Sequence, residues 1–379
     1  MIMKTVIFVR TASMYNDSRA MKEIQSLSNN GYKVIVLGWD RTGSAIEKCR
    51  DLFNENVSFY FYECNIVKIG FRNIDKLILW FKWVYSKLSF ITQNTALDSF
   101  IVHACDLDSG LPVYLFLRRN SHLRIHLVYD IYDYYIDLHH IPKALESKIE
   151  QMEIAIINSA AVTIICTEER TAQIKKSTPQ KLIVLHNSPD LREVRLPKSS
   201  SDFDYTYCGS LFPARRLVKE ILDRYPIHEE LKFVFAGYGS YDELAEKLSV
   251  SYSNFRFLGT LIYPDVLEIE SRTKVLSAIY DPLIRNHRLC APNKFYESLA
   301  LGKPVIVCQG TGIDKLVEKY NLGLTIQYDA EEFYKALDTL LKDPKRRKEM
   351  GQNGKRLYEE QYKWEIMEKR LLQAYSELQ

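Results

Sequence analysis

The feature that most constrains the fold of this chain is a regular alternation between short apolar runs and stretches with helical spacing. Short apolar runs bounded by polar or turn residues are typical of strands buried on both faces of a parallel sheet. Segments such as 20–29, which Asn30 and Gly31 follow, are typical of helices that end at a glycine. The pattern therefore predicts an α/β chain. The predicted strands are 6–9, 34–37, 100–103, 127–129, 162–166 and 182–185, followed by 205–208, 233–236, 255–258, 275–280 and 305–307.

A polar segment at 196–202 interrupts this pattern and predicts a boundary between two domains. A length of 379 residues also favours two domains. We therefore expect one Rossmann-like domain over 1–196 and a second over 203–361, with a C-terminal helix at about 362–379 that packs back on the first. Open parallel sheets bind ligands beyond the carboxyl ends of their strands, so function is expected at strand-to-helix loops facing a cleft.

Composition excludes several classes of protein. The formal net charge is only +3, so the chain lacks the basic character of a nucleic-acid-binding protein. Its seven cysteines include no pair separated by two residues, which excludes zinc ribbons and thioredoxin motifs and favours reduced, buried thiols in the cytoplasm. The apolar runs are too short to predict a membrane-spanning helix or a signal peptide.

The stretch 291–307 carries the most chemical information. Pro292 suits the start of a helix, and a buried strand follows Gly302. Lys294 and Glu297 lie three residues apart, which places them on one helix face near its N-terminus. A cation beside the free N–H groups of a helix start suits a diphosphate, and a carboxylate one turn later can accept hydrogen bonds from a ribose diol. The alternative is an ordinary ion pair on a solvated helix.

The pattern Pro-x-Lys-x-x-Glu-Ser-Leu-Ala-x-Gly-Lys-Pro-Val over 292–305 closely resembles the nucleotide-binding signature of GT-B glycosyltransferases, specifically the family-four-like group. The match is specific because its Gly, Pro and Glu positions agree together. The resemblance implies two Rossmann-like α/β domains facing a central cleft, with Lys294 on the donor diphosphate and Glu297 on the ribose. It covers nearly the whole chain, is strong over 205–307 and is loose over 43–100.

Other segments of the second half agree with the resemblance in order. Residues 207–211 look like the strand and glycine turn that open the family's donor domain, and Arg215 or, slightly favoured, Arg216 would reach the pyrophosphate. The alternative is a pair of surface arginines, which the positive end of a helix dipole disfavours. The 237–239 turn would line the nucleotide cleft. Thr260 and Tyr263 would lie near the base, with turn and packing roles as their alternative. The implied donor-binding residues are Gly209, Arg215, Arg216, Gly237, Gly239, Thr260, Tyr263, Asn293, Lys294 and Glu297.

The first half of the chain supplies the residues expected at the acceptor. His103 ends a predicted strand and Asp106 follows it, where the family carries a histidine-containing acceptor loop. Asp133 lies in an acidic and aromatic segment after the next strand, and such groups bind sugar faces and hydroxyls. His103, Asp106 and Asp133 are therefore the candidate catalytic residues, with a satisfied strand-end histidine as the alternative for His103. The Asp106-Leu107-Asp108 motif is not interpreted as a metal site, because GT-B enzymes do not chelate a metal for the donor.

The chain departs from the family pattern at two positions. Many members of the wider family carry a second glutamate eight residues before the one matched by Glu297, but Leu289 stands there. Asp281, Asn286 or His287 could substitute for it. The usual histidine of the first domain could also align with Cys105 rather than His103.

One further segment, 68–91, mixes basic and aromatic residues. Between these bounds five basic residues oppose only Asp75. Wound as a helix, the segment presents an apolar stripe that could lie on an anionic bilayer. The alternative is a helix packed on the first domain with its lysines reaching solvent. The stripe consists of Leu77, Trp80, Phe81, Val84, Leu88 and Ile91.

These features together predict a metal-independent glycosyltransferase of the hexosyltransferase type. It would move a sugar from a nucleotide-diphospho-sugar to a glycan or a polyprenyl-linked acceptor, with retention, in bacterial surface polysaccharide synthesis. No cofactor or nucleic-acid partner is expected. The expected location is the cytoplasm, with contact at the inner face of the plasma membrane through 68–91. The alternatives are a nucleotide-sugar epimerase and a non-catalytic partner subunit that binds a nucleotide sugar.

Overall fold

The computed structural model describes residues 4–64, 73–95, 99–139, 141–192, 194, 196–197, 202–213 and 215–378, except for the side chain of Asn16. The chain divides into two compact units. The first contains Met1–His186 and Met367–Gln379, and the second contains Asn187–Ile366. The division at His186 lies ten residues before the polar segment at 196–202, of which 198–201 lie outside the described residues.

The first unit is built on a seven-stranded parallel sheet with the order β3-β2-β1-β4-β5-β6-β7. The central strands are buried aliphatic runs, as the sequence predicts. The strands are β1 (Thr5–Val9), β2 (Lys33–Asp40), β3 (Val57–Glu63), β4 (Ser99–Cys105), β5 (Arg124–Ile131), β6 (Val162–Ile165) and β7 (Leu182–Val184). The helices are α1 (Ser18–Asn29), α2 (Ala45–Arg50), α3 (Ile74–Asn94), α4 (Asp106–Arg119), α5 (Tyr135–Leu138) and α6 (Lys143–Ser159).

The second unit is built on a six-stranded parallel sheet with the order β10-β9-β8-β11-β12-β13. Its strands are β8 (Phe203–Ser210), β9 (Phe233–Tyr238), β10 (Phe255–Phe257), β11 (Thr273–Ala278), β12 (Val305–Cys308) and β13 (Gly323–Ile326). Its helices are α7 (Val218–Arg224), α8 (Asp242–Ser251), α9 (Tyr263–Ser271), α10 (Asn293–Ala300), α11 (Ile313–Tyr320), α12 (Ala330–Lys342) and α13 (Pro344–Leu357). The last helix, α14 (Trp364–Ser376), begins in this unit and continues into the first.

The strand orders locate the expected ligand sites. In each sheet the order reverses once, between β1 and β4 in the first unit and between β8 and β11 in the second. Loops leave such a switch point in opposite directions, which opens a crevice at the carboxyl ends of the strands. The predicted α/β fold is confirmed, and all of the predicted strands are present. The sequence pattern missed the edge strands β3 and β13.

The apolar stripe predicted within 68–91 lies on α3. It packs against the core of the first unit, so the stripe itself does not face a bilayer. Trp80, Val84, Leu88 and Ile91 are buried in the core of the first unit, and Leu77 and Phe81 pack against that core. The indole of Trp80 donates a hydrogen bond to the carbonyl of Asp108 at 3.0 Å. A sheet face must be covered by apolar side chains, and α3 supplies them from this stripe. Residues 68–72 lie outside the described residues.

In the part of the chain that the structure describes, no helix combines enough length with enough apolar character to cross a bilayer.

The packing of α3 gives a first testable prediction. We expect Trp80→Ala to lower the free energy of unfolding by about 3–5 kcal/mol, because it leaves a large cavity and an unpaired carbonyl. The measurement is urea-induced unfolding followed by circular dichroism. Phe90→Ala is the matched control, since Phe90 is an aromatic residue of the same helix that is 51% exposed, and should cost less than about 1 kcal/mol. Equal losses in the two variants would contradict the packing of α3 described above.

Candidate functional site

The site of the second unit begins with a close contact between two strand ends. Gly209 near the end of β8 pairs with Gly237 of β9. A Cβ atom on Gly237 would overlap the carbonyl oxygen of Gly209, and the φ of Gly237 is +142°. Only glycine satisfies both conditions without strain. The two strand ends therefore approach closely and leave open space above Gly209.

The side chain of Lys294 fills part of that space. Its Nζ lies 2.7 Å from the position that a Cβ atom on Gly209 would take, and 5.0 Å from the centre of the Tyr207 ring. No carboxylate of the described residues lies within 4.0 Å of this ammonium group. Burial opposes its charge, but Tyr207, Tyr280 and Glu297 outweigh that effect and raise the pKa of Lys294. The site therefore holds a cation without a bound carboxylate.

Glu297 lies one turn further along α10 and is only 3% exposed. The hydroxyl of Tyr263 donates a hydrogen bond of 2.9 Å to its Oε1 atom. Burial, and then the neighbouring Glu297 carboxylate, raise the pKa of Tyr263 well above its ordinary value, so the phenol remains the donor. Glu297 is buried and forms no ion pair with Lys294. The pair is therefore not the solvated ion pair that the sequence left open as an alternative.

Two arginines follow β8 and differ in their surroundings. The guanidinium of Arg215 is 61% exposed and bonds the buried carboxylate of Asp281 at 2.8 Å. The guanidinium of Arg216 lies 5.0 Å from the centre of the Tyr280 ring. The charge of Arg216 acts on both Tyr280 and Lys294. Arg216 and Lys294 therefore form one positively charged region, and Arg215 is largely neutralised by Asp281.

The remaining donor-site candidates occupy the surrounding turns. Gly239 packs against the backbone of Leu211, where a Cβ atom would clash. Thr260 is exposed in the turn after β10, whose Gly259 carbonyl accepts a hydrogen bond of 2.7 Å from the Gly237 N–H. Asn293 is half-buried at the first position of α10.

Leu289 occupies the position where many family members carry a glutamate. The structure shows the surroundings of the three residues that could substitute for it. The Asp281 carboxylate is bound by Arg215 and accepts a hydrogen bond from the Leu283 N–H at 2.9 Å. The Nδ1 atom of His287 lies 3.1 Å from the Asp281 carbonyl, and Asn286 is buried. Asp281 is thus already committed to protein partners.

The site of the first unit lies at the corresponding switch point. Arg10 follows β1, and its guanidinium bonds both Asp17, at 3.0 Å, and Asp106. The other oxygen of Asp106 accepts hydrogen bonds from the backbone N–H groups of Tyr132 and Asp133, at 2.8 and 3.2 Å. Asp106 also has a left-handed backbone, with φ of 59°. Its carboxylate therefore joins the loops after β1, β4 and β5.

Asp133 is the more accessible of the two predicted carboxylates. Its side chain is 37% exposed, and it accepts a hydrogen bond of 3.1 Å from the buried Arg170. The neighbouring Tyr132 ring lies between two guanidinium groups, with Arg10 at 3.9 Å and Arg19 at 4.5 Å from its centre. Sequence reasoning missed Arg10 and Arg170. The position of Arg10 directly after the first strand was a usable signal.

His103 requires a correction as a candidate catalytic residue. It is fully buried in β4, stacks on Phe8 and shares a 2.6 Å hydrogen bond through Nδ1 with the hydroxyl of Tyr375. Its Nε2 atom lies 3.4 Å from Asp130 and 3.6 Å from Glu23. Burial lowers the pKa of His103, which favours the neutral ring. His103 therefore lies in the core with its Nδ1 atom hydrogen-bonded, in line with the alternative of a strand-end histidine, whereas its Nε2 atom has no hydrogen-bond partner among the described residues.

One cluster of the first unit has the residue types of a metal site. The potential ligand atoms of His103, Cys105 and Asp130 lie within 4.8 Å of one another. The guanidinium of Arg19 already bonds Asp130 at 2.6 Å and Glu23 at 2.9 Å, so a cation occupies the position beside these carboxylates. The two carboxyl groups of the Asp106-Leu107-Asp108 motif also have different surroundings. Asp106 bonds Arg10, whereas burial raises the pKa of Asp108 to about 7.

The network around Asp106 gives a second prediction. We expect Asp106→Asn to lower the free energy of unfolding by about 2–4 kcal/mol, because it removes one of two anions that neutralise a mostly buried guanidinium. Thermal unfolding of the full chain measures the effect. Asp75→Asn is the matched control, since Asp75 is exposed at the start of α3, and should change stability by less than about 0.5 kcal/mol. A neutral outcome for Asp106→Asn would show that the Arg10 pair has no structural role.

Comparisons with known proteins agree with this geometry. Residues 197–357 match the family described as glycosyl transferases group 1. A GDP-mannose-dependent monoacylated alpha-(1-6)-phosphatidylinositol monomannoside mannosyltransferase from Corynebacterium glutamicum is 28% identical over 173 residues, which cover 43% of this chain and 45% of that protein. The match thus spans less than half of the relative's length.

Two solved structures share the whole fold at low sequence identity. A sucrose-phosphate synthase from Thermosynechococcus elongatus superposes with a TM-score of 0.72 and 13% identity, over 99% of each chain. WaaG, a glycosyltransferase involved in lipopolysaccharide biosynthesis, superposes with a TM-score of 0.64 and 16% identity, over 97% of this chain and 98% of WaaG. The resemblance found in the signature at 292–305 is confirmed. The chain therefore has the two-domain GT-B fold, and its residues 197–357 match the glycosyl transferases group 1 family.

Proposed function

We propose that this protein is a glycosyltransferase whose second unit binds a nucleotide-diphospho-sugar and transfers the sugar, with retention, to a glycan or lipid-linked acceptor. The observation that carries the proposal is the Lys294 ammonium group, which lies over Gly209 without a bound carboxylate and beside the buried Glu297. Such a cation at a sheet switch point suits a phosphate ligand.

The chemistry follows from where charge develops. When the bond between the sugar and the diphosphate breaks, negative charge grows on the leaving phosphate. Preorganised cations aimed at that charge stabilise the transition state more than the ground state. Lys294 and Arg216 would supply this stabilisation, which is our reason for proposing a metal-independent reaction. Glu297, fixed by Tyr263, would accept hydrogen bonds from the hydroxyls of the donor.

The first unit would present the acceptor through Asp133. This carboxylate is partly exposed and oriented by Arg170, whereas Asp106 is bound on both oxygens and would position the loop. The name of the Corynebacterium relative describes a GDP-mannose donor and a lipid-linked acceptor. We therefore propose GDP-mannose and a polyprenyl-linked glycan as the first substrates to test, in a role such as bacterial surface polysaccharide synthesis.

The donor site gives the third prediction. We expect Lys294→Ala to weaken binding of the preferred nucleotide sugar by about 10- to 100-fold, because it removes a charged hydrogen-bond donor to phosphate. A panel of GDP-, UDP-, TDP- and ADP-sugars identifies the donor by thermal shift, and calorimetry then gives the dissociation constant for each variant.

Lys315→Ala is the matched control, since Lys315 is an exposed lysine of α11. It should bind the donor as the unchanged protein does. Equal affinity in the Lys294→Ala variant would exclude the proposed donor site. NMR of the donor incubated without acceptor distinguishes an epimerase, which converts the sugar alone, from a transferase, and NMR of the transfer product gives the anomeric configuration.

Membrane contact remains a proposal, and it now concerns the outer face of α3. This face exposes Ile74, Ile78, Leu79 and Phe90 around Lys82. A helix with exposed apolar and basic residues can lie in the interface of an anionic bilayer.

The fourth prediction tests this face of α3. We expect the double substitution Ile78→Ser and Leu79→Ser to reduce binding to phosphatidylglycerol vesicles by about 3- to 10-fold in a co-sedimentation assay, because less apolar surface enters the bilayer. Ile46→Ser alters an isoleucine of similar exposure on α2 and should have no effect. Unchanged vesicle binding in the double variant would remove α3 from the proposal.

A further inference from the structure

A second buried carboxyl group, Glu270, lies beside the donor site and belongs to none of the motifs described above. It occupies the last turn of α9, the helix that begins with Tyr263, and it is 0% exposed. Neither of its carboxylate oxygens has a hydrogen-bond donor among the residues that the structure describes. An ionised carboxylate in such surroundings costs several kcal/mol unless it is paired.

The groups that act on Glu270 are those of the donor site. The charges of Glu297 and Lys294, both on α10, act on it. The Cys208 thiol on β8 and the Tyr263 phenol on α9 both feel its charge. The ionisable residue of β11, which also packs against α9, is Lys274, and it pairs with Asp204 at 2.7 Å. Glu270 therefore belongs to the same electrostatic cluster as Lys294 and Glu297.

The hydrogen bonds distinguish the two glutamates. Two carboxylates in one buried site repel each other, so a proton on one of them favours the ionised form of the other. Glu297 accepts the Tyr263 hydroxyl at 2.9 Å, which stabilises its ionised form, whereas Glu270 accepts no such bond. The proton therefore belongs on Glu270.

We propose that Glu270 is a positioning residue of the donor site that stays protonated, so that Glu297 remains the ionised partner of the donor and Lys294 keeps its positive charge for the diphosphate. This inference rests on the proposed donor-binding function. Burial and the charge of Glu297 agree with it, because both raise the pKa of Glu270 well above its ordinary value.

The pH dependence has a definite sign. In the unfolded chain Glu270 ionises near its ordinary pKa, whereas in the folded protein it keeps its proton to higher pH. Folding then retains a proton that the unfolded chain releases, so stability falls as pH rises above the ordinary range of a glutamate. Glu270→Gln has nearly the same shape and no proton to lose. It should remove this cost.

The fifth prediction compares Glu270→Gln with the unchanged protein at pH 5 and pH 8. We expect the substitution to raise the melting temperature at pH 8 by about 2–4 °C, with a smaller gain at pH 5. Glu268→Gln alters an exposed position on the same helix and is the matched control. Its melting temperature should equal that of the unchanged protein at both pH values. A melting temperature that falls at pH 8 in Glu270→Gln would overturn the proposal.

Binding of GDP and UDP, measured by calorimetry between pH 6 and pH 9, tests the positioning role. We expect Glu270→Gln, which mimics the protonated carboxyl group, to bind both nucleotides with the affinity and the pH dependence of the unchanged protein. A several-fold difference in affinity between the two proteins within this range would overturn the positioning role. If neither nucleotide nor any nucleotide sugar binds the unchanged protein, the proposed donor function fails and the positioning role fails with it. The melting temperatures then still report whether Glu270 holds a proton.

Discussion

The chemistry of the second unit depends on the contact between the strand ends at Gly209 and Gly237. Any larger side chain at Gly237 would meet the Gly209 carbonyl, and any larger side chain at Gly209 would meet the Lys294 ammonium group. Two glycines thus allow a lysine from a different element to lie against the backbone at the switch point of the sheet. The signature at 292–305 has its proposed use only because β8 and β9 leave this space.

The two units use their charges in opposite ways. In the first unit Arg10 and Arg19 are bound by carboxylates, and those carboxylates also hold the loops after the strands. Removing one partner there would expose a buried charge, which is a structural cost. In the second unit Lys294 has aromatic rings and backbone as its closest neighbours. A cation in such a position remains available to a ligand, which is the basis of the proposed donor site.

Much of this arrangement was predictable from the sequence, because buried parallel strands are short apolar runs and because the signature places Lys294 and Glu297 on one helix face. The strand β3 was missed because its four consecutive aromatic residues, 59–62, are half-buried at a sheet edge. The surroundings of His103 could not be predicted because its partner, Tyr375, lies 272 residues further along the chain. Glu268 and Glu270 look alike in sequence, yet one is exposed and the other is fully buried. Only packing distinguishes such residues, and local patterns do not contain it.

The charge balance of the donor site connects these observations. Arg215 and Asp281 neutralise each other through their 2.8 Å ion pair. Lys294 and Arg216 contribute positive charge to this site, and Glu297 and Glu270 are its two buried carboxyl groups. A proton on Glu270 makes the site more positive by one charge than it would be with both carboxyls ionised, which favours a diphosphate. It also leaves an ionised acceptor at Glu297 for hydroxyl groups.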